Sequence, residues 1–142
     1  LFVSQVETHA SIRAFFPPGT LSPLHASGIG KALLAQMGEA RLAPLLGMPR
    51  EAFTPKTLVD PDALRADLVA IRARGYSVDD EERNLGMRCI AAPVFDMNGE
   101  PIAGVSISGP SARIPDERID SLGLAVKETA AKLTAALGGA SD

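Results

Sequence analysis

Cys89 is the only cysteine of the chain, and it stands ten positions after Asp79. Ser106 and Ser108 follow, spaced by two. A thiol, a carboxylate and two hydroxyls could supply a nucleophile, metal ligands or the polar wall of a pocket. A nucleophilic cysteine needs a nearby base or a positive field. The candidate bases are His9 and His25, and neither lies in a recognisable Cys-His signature. A metal site needs several ligands at close spacing. Asp79, Asp80, Glu81, Glu82, Cys89 and the histidines could assemble one, but their spacing does not force it. The third reading makes Cys89 a small apolar residue on a strand, in the core or in a pocket wall.

The serines narrow this choice. Positions two apart on a strand share a face, so Ser106 and Ser108 point one way and Val105 and Ile107 the other. Buried hydroxyls need partners. The pair therefore marks either a solvated sheet face or a small polar pocket. Cys89 shares a face with Ala91 and Pro93 in the same manner. Should the two strands pair through the turn at Asn98-Gly99, thiol and hydroxyls share one surface in one register only.

"HASGIGK" (residues 25–31) adds a possible anion seat. Unpaired N–H groups at a helix start attract anions, and Gly28 and Gly30 bracket such a start. The glycines could equally serve close helix packing. The strand-GxGxxG context and the GK[ST] ending of nucleotide loops are both missing. Lys31 reads as a solvated first-turn residue. In "DDEER" (residues 79–83), Asp80, Glu81 and Glu82 read as a solvated turn. Asp79 differs because it follows Val78 at a strand end. Arg88 and Arg113 could pair with these acids or with an anionic ligand.

These residues must be positioned by a core. The chain has 142 residues, 46% hydrophobic and 22% charged, which suits one folded domain. A net charge of −3 argues against a broad basic surface for phosphate backbones. One cysteine cannot form an internal disulfide, as expected for a reducing cytoplasm. No apolar run reaches the roughly 18 residues that span a bilayer, and no signal peptide is evident. "LFVSQVE" (residues 1–7) and "ASIRAFF" (residues 10–16) alternate as strands of a hairpin. The first begins abruptly, as if cut from a longer protein. "PPGTLSP" (residues 17–23) is a loop.

Helices are expected over 26–38, 39–46, 61–74 and 115–137. The third has Asp60 as cap, Pro61 at its first position and Gly75 after its end. Its inward stripe is Leu64, Leu68 and Ile71. The last should bury Ile119, Leu122, Val126, Leu133 and Leu137. Strands fall at "YSVDD", "RCIAAPVFD" and "PIAGVSISG". The order ββ-αα-α-βββ-α predicts an α+β fold with an antiparallel sheet.

"LHASGIGKALLAQM", "LVDPDALRADLVAIRARGYSVDDEERNLGMRCIAAPVFD" and "GEPIAGVSISGPSARI" with the closing helix resemble the effector-binding domain of the IclR family of bacterial transcription regulators. The likeness runs from about Leu24 to Gly139. "SGxGKA", "DDEE", "GxRC" and "SISGP" are similar to the branch holding the acetate-operon repressor. The resemblance implies one GAF-like domain over residues 1–142, with a curved antiparallel sheet and helices on both faces. It implies an upstream winged helix-turn-helix domain outside this chain, through which DNA is bound, and homodimers or homotetramers. It implies a sensor rather than an enzyme, with no catalytic residue, metal or cofactor.

The implied ligand is a small 2-oxo acid, glyoxylate or pyruvate. By resemblance, the backbone at Gly28 and Ile29 meets its carboxylate, and Asp79, Cys89, Ser106 and Ser108 form polar walls. Leu21, Leu33 and Met87 close the pocket. Ile29 departs from the pattern, since those relatives tend to carry a small residue such as alanine there. Asp79 also poses a sign problem beside an anion. Either it is protonated on binding, or it accepts from the hydroxyl of a hydrated aldehyde. Competing expectations are an enzyme or metal site on Cys89 and Asp79, a sensor for another organic or aromatic acid, and a ligand-free oligomerisation module.

Overall fold

The structure is a computed structural model that describes residues 12–15 and 24–139. The strand expected at Leu1–Glu7, and with it His9 and Leu21, lies outside the described residues.

Local signals set the elements. After β1 (Ile12–Phe15) and a one-turn 3-10 helix (Leu24–Ala26) come α1 (Gly28–Leu34), α2 (Glu39–Leu46) and α3 (Pro61–Arg74). The Asp60 carboxylate accepts from the Ala63 N–H at 3.0 Å, and Gly75 closes α3 at φ 90°, a left-handed conformation that favours glycine. Leu64, Leu68 and Ile71 are buried as the periodicity requires. They pack with Leu34, Leu42 and Leu46.

β2 (Ser77–Asp80), β3 (Met87–Phe95) and β4 (Pro101–Pro110) follow, then α4 (Asp116–Ala136). The described strands form one antiparallel sheet in the order β1-β4-β3-β2. The β3–β4 turn is tied by Asp96, whose carboxylate accepts from the N–H groups of Asn98 and Glu100, with Gly99 at φ 76°. The α+β expectation holds.

Helices cover both faces. Against α4 lie Ile90, Ala92, Val94, Val105 and Ile107. The Tyr76 ring packs on Gly123, where an added Cβ would sit 2.5 Å from the ring, and its hydroxyl donates to Asp120 at 2.6 Å. The α4 stripe departs from expectation. Leu133 and Leu137 are exposed, while Gly123, Val126, Ala130 and Thr134 face inward. Thr134 accepts from the Phe95 N–H at 3.0 Å, beside a register shift at Val94/Phe95. The opposite face carries α1 and is the face of Cys89.

Candidate functional site

Strand register brings the expected residues together. Asp79 pairs with Cys89, and Cys89 with Ser108, so the three form one row across β2, β3 and β4. The next row on that face is Ser77, Ala91 and Ser106. Asp79, Ser77 and Ser106 are buried, and Cys89 and Ser108 are half-buried. Neither Ser106 nor Ser108 has a hydroxyl partner among the described residues. Met87 continues the face at the start of β3 and is 41% exposed, a rim position.

α1 lies directly on these rows. A Cβ at Gly28 would sit 2.8 Å from the Cys89 Sγ, and one at Gly104 would sit 2.8 Å from Ile29. Ile29, Ala32, Leu33 and Ala91 form a small apolar cluster here. The Ile29 side chain therefore occupies the groove over Gly104, where an alanine would leave room. Ser27 caps α1: its hydroxyl accepts from the Gly30 N–H at 3.0 Å, and its carbonyl from the Lys31 N–H at 2.9 Å. Two of the first-turn N–H groups, those of Gly28 and Ile29, have no acceptor among the described residues. Ser77 fixes the helix to the sheet by donating to the Gly28 carbonyl at 2.5 Å.

Two expectations need correcting. Lys31 is not solvated but 0% exposed. Its Nζ donates to Asp67 Oδ2 at 2.7 Å, to the Val78 carbonyl at 2.6 Å and to Glu82, whose oxygens lie 2.9 and 3.0 Å away. Nor is Glu82 part of a solvated turn, being 5% exposed. Its Oε2 also accepts from the Asp80 N–H at 3.1 Å. Asp80 and Glu81 do face outward, though ion-paired: Asp80 with Arg88 and Lys56, Glu81 with Lys56. Glu81 holds the turn at φ 59°. Thr54 and Thr57 clamp this turn by donating to the carbonyls of Glu81 and Glu82, at 2.7 and 2.5 Å. Arg113 pairs with no acid among the described residues.

The Asp79 carboxylate accepts from the Glu82 N–H at 2.8 Å. Burial nevertheless pushes it above its ordinary value of 3.8. Burial raises Glu82 above 4.5, against the pull of Lys31. The two therefore keep protons in the folded chain at pH values where the unfolded chain has lost them. Stability falls as pH rises from about 4 through their folded values. Burial opposes ionisation of Asp80, but Arg88 holds it below 3.8, and the Gly86 N–H and Lys56 hold Glu81 below 4.5. Those two contribute above their ordinary values and lose that contribution as pH falls. The unfolding midpoint should thus peak on the acidic side of neutrality. Asp79→Asn should flatten its decline toward alkaline pH, and an unchanged slope in thermal melts would exclude Asp79 as a source.

Among the described residues, no three of His, Cys, Asp and Glu converge to hold a metal ion. A cavity of about 480 Å³ lies elsewhere, over Leu34, Leu46 and Leu64 with His25, Phe53 and Arg83 at its edge. The His25 Nε2 is engaged by the Glu51 carbonyl at 2.8 Å, and none of the expected site residues lines this space. No helix is long and apolar enough to cross a membrane.

Sequence reasoning missed Ser77, Glu82 and Lys31 as members of the site's frame. Ser77 was findable, since it shares the face of Asp79. Lys31 carried a signal too: it is the one charged residue in an otherwise apolar "GIGKALL".

A family model described as bacterial transcriptional regulator IclR C-terminal matches residues 1–135. The chain is 59% identical over 135 residues to the HTH-type transcriptional regulator BhcR of Paracoccus denitrificans, covering 94% of this chain and 48% of that protein. It is 46% identical over 140 residues to the transcriptional repressor IclR of Escherichia coli, covering 98% and 51%. The chain thus spans about half the length of each. The crystal structure of the Agobacterium tumefaciens repressor BlcR superposes with a TM-score of 0.80 at 30% identity, covering 94% of this chain and 58% of that one. The matched family and these relatives are transcription regulators, not enzymes. The chain belongs to the IclR family and corresponds to its C-terminal domain.

Proposed function

We propose that the domain senses a small 2-oxo acid, glyoxylate or pyruvate, bound between the start of α1 and the Asp79–Cys89–Ser108 row. The observation that carries this reading is the company of groups on one buried face. Two serine hydroxyls and two helix-start N–H groups there have no partner among the described residues. These donors suit a carboxylate and a carbonyl, and none of them is a base that would drive chemistry. Gly28 and Ile29 meet the carboxylate through their N–H groups, and Ser106 and Ser108 donate to it or to the carbonyl. Asp79 and Cys89 close the polar side, Leu33 the apolar side and Met87 the rim. Ile29 narrows the seat, which favours the shorter ligands.

The effector would act by a population shift, binding one subunit arrangement better than another. DNA would be gripped by a winged helix-turn-helix domain of the whole protein, in the cytoplasm, with this domain holding homodimers or homotetramers together.

A thermal-shift panel of glyoxylate, pyruvate, acetate and an aromatic acid tests the reading. At about 100 times Kd the fitting acid should add roughly 2.7 kcal/mol. Combining Cys89→Ser, Ser106→Ala and Ser108→Ala should abolish most of that shift. A folded domain that responds to neither 2-oxo acid would remove the assignment, and a response to the aromatic acid alone would replace it.

A further inference from the structure

Lys31 lies in α1, at whose start the effector is proposed to bind, yet its donors are all committed. An ammonium has three hydrogens. Here three groups take them: Asp67, the Val78 carbonyl and Glu82. The side chain is 1% exposed, so water supplies no alternative. Formal charges then leave a deficit. Lys31 contributes +1 and Asp67 and Glu82 contribute −2, so this group sums to −1. Asp79 touches the same turn through the Glu82 N–H and brings the sum to −2.

Among the described side chains, no other cation pairs with Asp79 or Glu82; on β1, Arg13 stands in register with Ser106, in the neighbouring row. On the turn, Arg83 lies over the Phe53 ring, 4.0 Å from its centroid. Lys56 pairs outward with Asp80 and Glu81. Arg88 on β3 pairs with Asp80 and with Asp116 of α4. Toward Asp79 the sheet presents Cys89 and Ser108, neither of which can carry a positive charge. A monoanion entering here meets a buried site that is already negative, and buried charge without a counter-charge is expensive.

We propose that the Lys31–Asp67–Glu82–Asp79 cluster makes the domain a proton-coupled anion sensor, taking up one proton from solvent with each effector carboxylate it binds. Lys31 is a positioning residue in this scheme. It sets the Glu82 carboxylate and the turn that orients Asp79, and the proton is the counter-charge for the ligand. The acceptor is the Asp79 carboxylate, which becomes a carboxylic acid able to donate to the effector's oxygen. This selects between the two roles open to Asp79 from sequence, protonation or acceptance from an aldehyde hydrate. That burial already holds Asp79 and Glu82 above the usual carboxylate range agrees with it.

The inference rests on the effector reading above, and calorimetry of the wild-type chain separates the two. Glyoxylate and pyruvate are titrated at pH 7.5 in phosphate and in HEPES, whose ionisation enthalpies differ. The difference in observed heat counts protons. About one proton taken up per acid bound is expected, with Kd rising about tenfold per pH unit above neutrality. Asp79→Asn should bring both the count and the pH dependence near zero. Binding with no proton uptake and a Kd constant from pH 6.5 to 8.5 would overturn the coupling and leave the effector reading standing. No heat and no thermal shift with either acid would overturn both.

Discussion

Lys31→Met should cost about 3–5 kcal/mol of folding stability, the range for removing one partner of a buried ion pair. The side chain it replaces is fully buried, so methionine fits the volume and cannot solve the electrostatics. Glu82 is left in the interior, and the Val78 carbonyl loses its donor. Asp67 is affected less, because its side chain is 25% exposed and can turn to water. Adding Glu82→Gln should restore part of the loss, since an amide costs less to bury than an orphaned carboxylate. Urea unfolding of the two single variants and the double variant reads the coupling directly. A Lys31→Met domain within about 0.5 kcal/mol of wild type would show that the pair stabilises nothing and that α1 is held by its apolar face alone.

The reason such a residue was misread from sequence is physical. Its partners lie 36, 47 and 51 positions away, and no local rule reports them. What local rules do report came through intact. α3 has its cap, its N-terminal proline and its left-handed glycine within one continuous stretch, and its stripe is buried as the spacing requires. The β3–β4 turn is likewise a local device, and it sets the register that puts Cys89 opposite Ser108. The candidate site was legible to that extent: alternation placed the thiol and hydroxyls on a face, and pairing put them in adjacent rows. Where an element's phase depends on a distant irregularity, reading fails. Thr134 faces inward with its hydroxyl on the Phe95 N–H, 39 positions away, while Leu133 is turned out.

Cys89 illustrates the same division. Its spacing from Asp79 was visible at once, while its role depends on α1, which the sequence could not dock. Ser77 binds the Gly28 carbonyl from the sheet, and Lys31 ties the same helix to α3 and to the Asp79 turn. A ligand pressing on the start of α1 would therefore act on both layers. Cys89 is packed beneath that start, next to Gly28.

The two glycines of "SGIG" should respond differently to alanine. At Gly28 the new Cβ would meet the Cys89 Sγ at 2.8 Å, with the Cβ atoms of Cys89 and Ala91 at 3.4 Å. One side chain is thus the main obstacle. Gly28→Ala should destabilise by about 1–3 kcal/mol, an ordinary overpacking cost. Cys89→Ala should relieve most of it, because it removes the sulfur and leaves the tolerable contacts. At Gly30 the obstacle is main chain: the Leu24 oxygen at 2.5 Å, its Cα at 2.6 Å and its carbonyl carbon at 2.9 Å. No truncation opens that space, so Leu24–Ala26 must part from α1. Gly30→Ala should cost about 3 kcal/mol or more, the upper end of overpacking losses, even after the roughly 1 kcal/mol that alanine gains over glycine in a helix. Thermal melts of Gly28→Ala, Cys89→Ala, their double variant and Gly30→Ala decide the matter. A double variant no more stable than Gly28→Ala alone would mean that α1 does not rest on the thiol. A Gly30→Ala domain as stable as wild type would mean that α1 can shift on its bed, and the anion seat proposed at its start would lose its fixed geometry.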